Sequence, residues 1–497
     1  MVKPIIVGVG QHTFHPETVE QIVGPFDAMK LVVEAASRDA GVPDLGAKAD
    51  AIHVVNMFSW SPKDAPTSLA EKLGANPKIK EYTAIGGNTP QWLVSRAADN
   101  LAAGKCKIAV LAGCEVMHSL RLAGRSGVDI GAFSESIEIP MVGIQKDGTL
   151  DVEMSHGADL PVRIYPLLES ALRAKQKLSI EQHRQRLGKF GEEFSKVASQ
   201  NPYSWFPVAR TAEEIVTVTS KNRMLGFPYT RYLNSELYVD QAAAVIVTTP
   251  ETAKELGIPE SKWVYVHGGQ DAHDSWFVSH RPDLADSPAI KATVADALAQ
   301  AERTLDEMAF FDFYSCFPVM PFLTQHVLGI PDSDPRPRTL TGGLPFFGGP
   351  GNNYVMHSIA EAVERCRLEP SKFGMVTSNG YYATKHGVGI YGATAPSREW
   401  SRTSPETFQK ELALPEDMVI DLEPSGRFTV DAYTIWHDRQ GEPEQGILCG
   451  HTDEGKRAWA RSPVDPQLFR AMMAEEWVGK VGTVQRREGS ANIVDFS

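Results

Sequence analysis

The feature that most constrains this chain is a rhythm of short apolar stretches and amphipathic helical stretches that occurs twice in the same order. In the first part, residues 5–9, 51–55 and 108–112 have the length and composition of buried strands. Between them, residues 26–40, 68–73 and 91–103 carry helical patterning, and Gly41, Gly74 and Gly104 stand where those helices should stop. A second series begins near residue 263, with strands expected at 263–267, 310–314, 373–378 and 388–391 and helices at 288–305 and 352–366. Alternation of this kind predicts a largely parallel sheet covered by helices. Its recurrence predicts two similar halves.

Between the halves the rhythm breaks. Residues 120–235 lack regular strands and hold helical segments such as LPVRIYPLLESALRAKQ and SIEQHRQRLGKFGEEFSKVASQ, which predicts a helical insertion. The strand pattern resumes with DQAAAVIVTT, residues 240–249. After Pro405 the character changes again. GRFTVDAYTIWHD, QGILCGHT, RAWARS and WVGKVGTVQRR are short strands separated by turns, as in a small β-barrel or sandwich.

Composition narrows the function classes. The formal charge of −13 comes from 49 basic and 62 acidic residues, so no basic footprint for nucleic acid is present. No apolar run reaches the 18 residues or so that a membrane-spanning helix requires. Five cysteines in 497 residues do not make a disulfide framework. With no signal-peptide layout at the start and no peroxisomal-type tail in VDFS, a cytoplasmic location is expected.

Five segments in order resemble the thiolase superfamily over roughly residues 1–400. LAAGKCKIAVLAGCEVM is similar to the stretch in which a thiolase helix leads into a strand ending Gly-Gly-x-Glu, and DQAAAVIVTT to the Asp-Gly-Ala-Ala-Ala strand. DFYSCFP resembles the His-Asp-Cys-Phe segment of the sterol-carrier-type thiolases. TGGLPFFGGPGNNYVMHSIA resembles the loop that carries Gly-His-Pro, and SNGYYATKHGVGIYG the closing Cys-x-Gly region. The resemblance, including the insertion and the β-rich tail, extends to thiolase-like proteins labelled acetyl-CoA acetyltransferases. It implies duplicated α/β halves in a five-layer sandwich. The units would be residues 1–119 with 236–255, the insertion 120–235, residues 256–404, and an OB-fold-like domain at 405–497.

The departures from the family pattern are as informative. A thiolase holds its acyl group on a cysteine at the start of the first central helix. Here that segment is AIGGNTPQW, with Gly86 or Gly87 at the nucleophile's place. Gly349 replaces the histidine of Gly-His-Pro, and Ser378 replaces the second cysteine. Cys316, Tyr314 and His386 are the reactive groups left in the motif segments. Cys316 reads as a nucleophile or acid/base group, or as an inert buried thiol. His386 reads as a general acid/base or a structural histidine, and Tyr314 as an oxyanion donor or a core tyrosine. The three are expected to face one pocket. Asn88 and Thr89 would start an oxyanion-binding helix or simply cap it. Gly348, Gly349, Asn353 and His357 would line the substrate site, the last two sharing a helix face. The basic side of SIEQHRQRLGKF could meet CoA phosphates or solvent. His267, His273 and His280 have no zinc spacing, so no metal is expected.

The resemblance implies an acyl-CoA enzyme of lipid metabolism that makes or breaks a C–C bond beside the thioester, with coenzyme A thioester as substrate and no covalently bound cofactor. A retro-aldolase on a 3-hydroxyacyl-CoA and a non-catalytic acyl-CoA-binding protein are the alternatives. No nucleic acid or membrane partner is expected. A homodimer is the default assembly unless the insertion blocks the shared surface.

Overall fold

The structure, a computed structural model, describes residues 2–487 and 490–496. The first half runs β1 (Ile5–Phe14), α1 (Pro25–Asp39), β2 (Ala51–Val54), α2 (Ala65–Leu73), β3 (Ile79–Thr83), α3 (Thr89–Ala102) and β4 (Ala109–Val116). Local signals set these bounds. The Asp64 carboxylate accepts the Thr67 N–H at 3.1 Å to cap α2, and Gly74 takes the left-handed conformation that ends it. The insertion holds α4 (Met117–Ser126), β5 (Met141–Val142), α5 (Asp151–Ser155), α6 (Pro161–Lys175), α7 (Ile180–Gln200), α8 (Ala212–Val216), β6 (Met224–Gly226) and β7 (Tyr229–Thr230). It is mostly helical, as expected, but the short strands β5, β6 and β7 were not expected. β8 (Asp240–Thr248) returns the chain to the sheet.

The second half runs α9 (Pro250–Glu255), β9 (Val264–His273), α10 (Pro288–Gln300), β10 (Met308–Asp312), α11 (Val319–Leu328), α12 (Tyr354–Leu368), β11 (Phe373–Gly380) and β12 (Lys385–Gly392). Its sheet order, β10-β11-β12-β9, repeats β2-β4-β8-β1 of the first half. The strand directions repeat too: β2–β4 and β10–β11 are parallel, and the other matched pairs are antiparallel. Close approach is conserved between the halves. A Cβ at Gly8 would lie 2.1 Å from the Ala36 carbonyl of α1, and one at Gly268 would lie 2.1 Å from the Ala297 carbonyl of α10. The half-sheets meet at a narrow seam where Ile5 and Ile6 pair with Tyr265 and Val264. Helices α3 and α12 lie between them and pack on strands of both halves, while α1 and α10 cover the outer faces, giving the five layers.

The free edge of the first half is covered at the end of β3 nearest the cleft. β5 pairs in parallel with β3 through Tyr82–Met141 and Thr83–Val142, and Ser61 N–H donates to the Ala132 carbonyl at 2.8 Å. An edge occupied in this way cannot pair with a second copy through the same backbone groups.

The tail comprises α13 (Pro405–Glu411), β13 (Gly426–His437), β14 (Pro443–Thr452), β15 (Arg457–Arg461), α14 (Pro466–Ala474), β16 (Val481–Gln485) and β17 (Ile493–Asp495). β13, β14, β15, β17 and β16 pair in that order and close on β13, making a five-stranded barrel. Phe428, Val430, Leu448 and Val484 belong to its own core. Ala432, Ile447, Cys449 and Trp459 belong instead to the core shared with α3, α6 and α12. The insertion also adds to the barrel sheet, because Gly226 of β6 pairs with Trp436 of β13. No described helix is long and apolar enough to cross a membrane.

Candidate functional site

The turn between β3 and α3, residues 84–88, is held from below. Gly86 N–H donates to Asn352 Oδ1 at 2.9 Å, and Asn352 Nδ2 donates to the Asn56 carbonyl at 3.0 Å. Thr89 Oγ1 donates to the Gly86 carbonyl at 2.8 Å. Asn88 stands at the N-cap position but makes no side-chain capping bond, and its buried Oδ1 has no partner. The capping role open to Asn88 from sequence is therefore not the one observed, and its oxygen remains free for a ligand.

Two side chains from the second half fill the space over the paired glycines. A Cβ at Gly86 would lie 2.4 Å from Asn88 Oδ1 and 2.7 Å from Lys385 Nζ. A Cβ at Gly87 would lie 2.3 Å from the Tyr314 hydroxyl and 2.7 Å from the Asn379 carbonyl oxygen. Lys385 Nζ donates to the Ile85 carbonyl at 2.5 Å and sits 4.5 Å from the centre of the Tyr381 ring. No carboxylate lies within ion-pair distance of it among the described residues. Lys385 is 5% exposed, and burial pushes its amine down to about 8.

Asn88 and Lys385 open into a cleft of about 570 Å³, which the Tyr314 ring does not line. Asn88, Thr89, Trp92 and Arg96 of α3 form one wall, residues 142–144 and α13 form the rim, and Asp271, His273 and Lys385 line the sheet side. Its charges are mostly committed. Arg96 Nε donates to Glu81 at 2.7 Å, while Arg402 bridges Asp99 and Asp271, each at 2.8 Å. Asp271 nonetheless stays high, at about 6, because burial outweighs its arginine partner.

Of the three groups expected to meet in one pocket, Tyr314 and His386 border one small void, His386 also borders the cleft, and Cys316 lines neither. Side chains alternate faces along a strand, so the neighbours Lys385 and His386 point to opposite sides of β12. Lys385 faces α3, while His386 Nε2 faces outward and bonds Asp274 Oδ2 at 3.1 Å and the Ala383 carbonyl at 3.2 Å. Asp274 in turn holds the start of α10 by accepting from Ser287 Oγ at 2.5 Å and Ala289 N–H at 2.9 Å. Tyr314 and His386 border a void of about 10 Å³, room for no more than one water, and Cys316 does not line it. Cys316 is buried 4.0 Å from Asn379 Nδ2, and burial pushes its thiol up to about 12, so it is protonated at neutral pH.

The expected substrate residues divide likewise. Asn88 and Thr89 line the cleft. Gly348 packs under Gln241, and Gly349 N–H donates to the Glu236 carbonyl at 2.8 Å, away from the cleft. Asn353 packs against Gly113, while His357 Nδ1 bonds Gln11 Oε1 at 2.8 Å and is pushed down to about 3 by burial. Both belong to the central layer because α12 is enclosed by both half-sheets. The basic side of α7 is paired locally, Arg184 with Glu213 at 3.2 Å and Arg186 with Asp332 at 2.7 Å. Sequence reasoning missed Lys385, Trp92, Arg96 and Asn352. The only signal for Lys385 was its place beside His386 in the closing motif.

Comparison with known proteins agrees with this architecture. The model of the thiolase-like protein type 1 additional C-terminal domain matches residues 407–489. The crystal structure of a monomeric SCP2-thiolase-like protein type 1 from Mycobacterium smegmatis is 32% identical, with 100% of this chain and 99% of that one covered and a TM-score of 0.85. This chain belongs to the SCP2-thiolase-like protein type 1 family. More distant likenesses share the fold: the Ltp2-ChsH2(DUF35) aldolase, at 17% identity, covers 80% of this chain and 98% of its own, with a TM-score of 0.58. A human mitochondrial 3-ketoacyl-CoA thiolase in complex with CoA, at 14% identity, covers 79% and 98%, with a TM-score of 0.57. A comparison with curated protein sequences returned no match.

Within this thiolase-like fold, His386 bonds Asp274, which holds the start of α10, and it also borders the cleft. His386→Ala should lower stability by about 1–3 kcal/mol, the cost of leaving a buried partner unsatisfied. Ligand affinity of the cleft should stay within about twofold. Thermal denaturation and calorimetric titration check this; a variant with unchanged stability and lost ligand binding would return His386 to the site.

Proposed function

We propose that the cleft at the start of α3 takes an acyl-CoA thioester, and that the chain makes or breaks the C–C bond beside the thioester without an acyl-cysteine intermediate. The observation that carries this reading is the filling of the space over Gly86 and Gly87 by Lys385 and Tyr314. The seat of the family's nucleophile then has no room for a thiol but has an amine and a phenol beside a helix start. Such donors stabilise an enolate or oxyanion. A retro-aldol cleavage of a 3-hydroxyacyl-CoA fits the same groups, since it needs a base and an enolate hole and no covalent acyl group.

The supporting frame is that of a CoA enzyme. Coenzyme A thioester would be a substrate and not a resident group, and the edge covered by β5 favours a monomer over the homodimer expected from sequence. We read residues 1–119 with 236–255 and residues 256–404 as the two halves, 120–235 as the insertion, and 405–497 as the added unit. The strand order of its barrel, first-second-third-fifth-fourth, with a helix between third and fourth, supports an OB-fold-like domain. A cytoplasmic location accords with this role.

Incubation with acyl-, 3-ketoacyl- and 3-hydroxyacyl-CoAs, followed by mass spectrometry of products and intact protein, tests the reading. We expect a changed CoA product and no acyl group on any cysteine. A cysteine adduct would overturn the mechanism. Binding without turnover would favour the non-catalytic alternative, and no binding at all would remove acyl-CoA as the ligand.

A further inference from the structure

We propose that Lys385 is an amine nucleophile at the floor of the cleft, condensing with the 3-oxo carbon of a 3-ketoacyl thioester to form an imine. The inference rests on the acyl-CoA reading for its substrate class but on the local geometry for its chemistry. Nζ lies 2.7 Å from where a Cβ at Gly86 would stand, so the amine occupies the place of the absent thiol. Its surroundings are a carbonyl and an aromatic face, with no carboxylate to hold it as an ammonium.

The charged and titratable neighbours from other elements are engaged elsewhere. Arg96 of α3 is held by Glu81, and Asp271 of β9 by Arg402. His273, the cross-strand partner of Lys385, bonds the Asp274 carbonyl at 2.9 Å through Nδ1. Glu406 and Lys410 stand on α13 at the rim, and Tyr381 offers its ring face. With its amine near 8, Lys385 is partly neutral at physiological pH.

The step balances without a redox partner. The nitrogen lone pair attacks C3, and the ketone oxygen becomes the hydroxyl of a carbinolamine. Loss of that oxygen with two hydrogens as water leaves the C=N bond. The unpartnered Asn88 Oδ1, 2.4 Å from the same point over Gly86, can accept from the carbinolamine hydroxyl.

The test uses the full-length chain with sodium cyanoborohydride and two probes, acetoacetyl-CoA and ethyl acetoacetate, with adducts mapped by peptide mass spectrometry. We expect one dominant adduct, on Lys385, rising as the amine loses its proton toward about pH 8 and falling above it, where the imine loses the proton that cyanoborohydride reduction requires. Lys385→Arg should lose that adduct, and the map of the unaltered chain stands if the variant misfolds. Labelling confined to surface lysines with both probes would overturn the proposal. Labelling of Lys385 by ethyl acetoacetate alone would keep the amine and remove the CoA thioester. Turnover of acetoacetyl-CoA with Lys385 unlabelled by either probe would keep the CoA reading and sink the imine.

Discussion

A chain ending at residue 404 should fail to stay folded, although the barrel it lacks is closed by its own hydrogen bonds. Trp459 is fully buried against the rest of the molecule and donates through Nε1 to Ser279 Oγ at 2.8 Å. Burying a tryptophan of some 200 Å² at roughly 25 cal/mol per Å² is worth about 5 kcal/mol, a large part of the stability of an ordinary domain. Arg173 of α6 is 1% exposed and meets Glu476 at 2.8 Å and the Tyr433 hydroxyl at 3.1 Å; truncation removes both partners. Arg457, also buried, donates to the Arg281 carbonyl at 2.6 Å, tying the barrel to the second half. We expect the truncated chain to be largely insoluble, or to melt at least 10 °C below the full chain if recovered. A soluble chain melting within a few degrees of the full one would mean that the barrel is an accessory and that α6 finds another cover.

Restoring a thiol to the turn before α3 should damage the protein rather than revive thiolase chemistry. The Cβ of a Gly87→Cys variant would lie 2.3 Å from the Tyr314 hydroxyl and 2.7 Å from the backbone oxygen of Asn379. The tyrosine can shift, but the strand that carries Asn379 is paired on both sides, with β10 and with β12. Overpacking of this kind costs about 1–3 kcal/mol, occasionally more. We expect a lowered melting temperature and no acyl group on the new thiol after exposure to acetyl-CoA. Adding Tyr314→Ala should recover part of the stability by vacating the space. A singly substituted chain of undiminished stability that carries an acetyl group at position 87 would show that the seat of the nucleophile had stayed open, against the reading proposed for the cleft.

Much of the fold was legible because it is encoded locally. Strand-helix alternation, the glycines after α2 and α3, and the repeat of that order after residue 263 rest on interactions within a few residues. The change to short strands after Pro405 is likewise a local pattern. The strand β3 was missed because Lys80 and Glu81 interrupt IKEYT and leave no apolar run of the kind that marked the other strands. The strands β6 and β7 were missed because pairs and triplets of residues become strands only when a partner such as β13 is present.

The motif segments located the candidate site but not its face. From ATKHG alone, period two requires Lys385 and His386 to point oppositely, yet only pairing of β12 with β9 and β11 decides which one looks toward α3. The same holds for Tyr314, whose hydroxyl reaches Gly87 across more than two hundred residues of sequence, and for Asn352, which holds Gly86 from the opposite half. The sequence by itself determined the repeated α/β halves, the barrel-like tail and a turn before α3 that carries two glycines and no thiol, since these are written in periodicity, caps and residue identity. The tertiary structure alone decided that an amine and a phenol fill the vacated space, and that the barrel shares the central core. Those outcomes depend on which surfaces the long-range packing brings within contact distance, and no short stretch of chain carries that information.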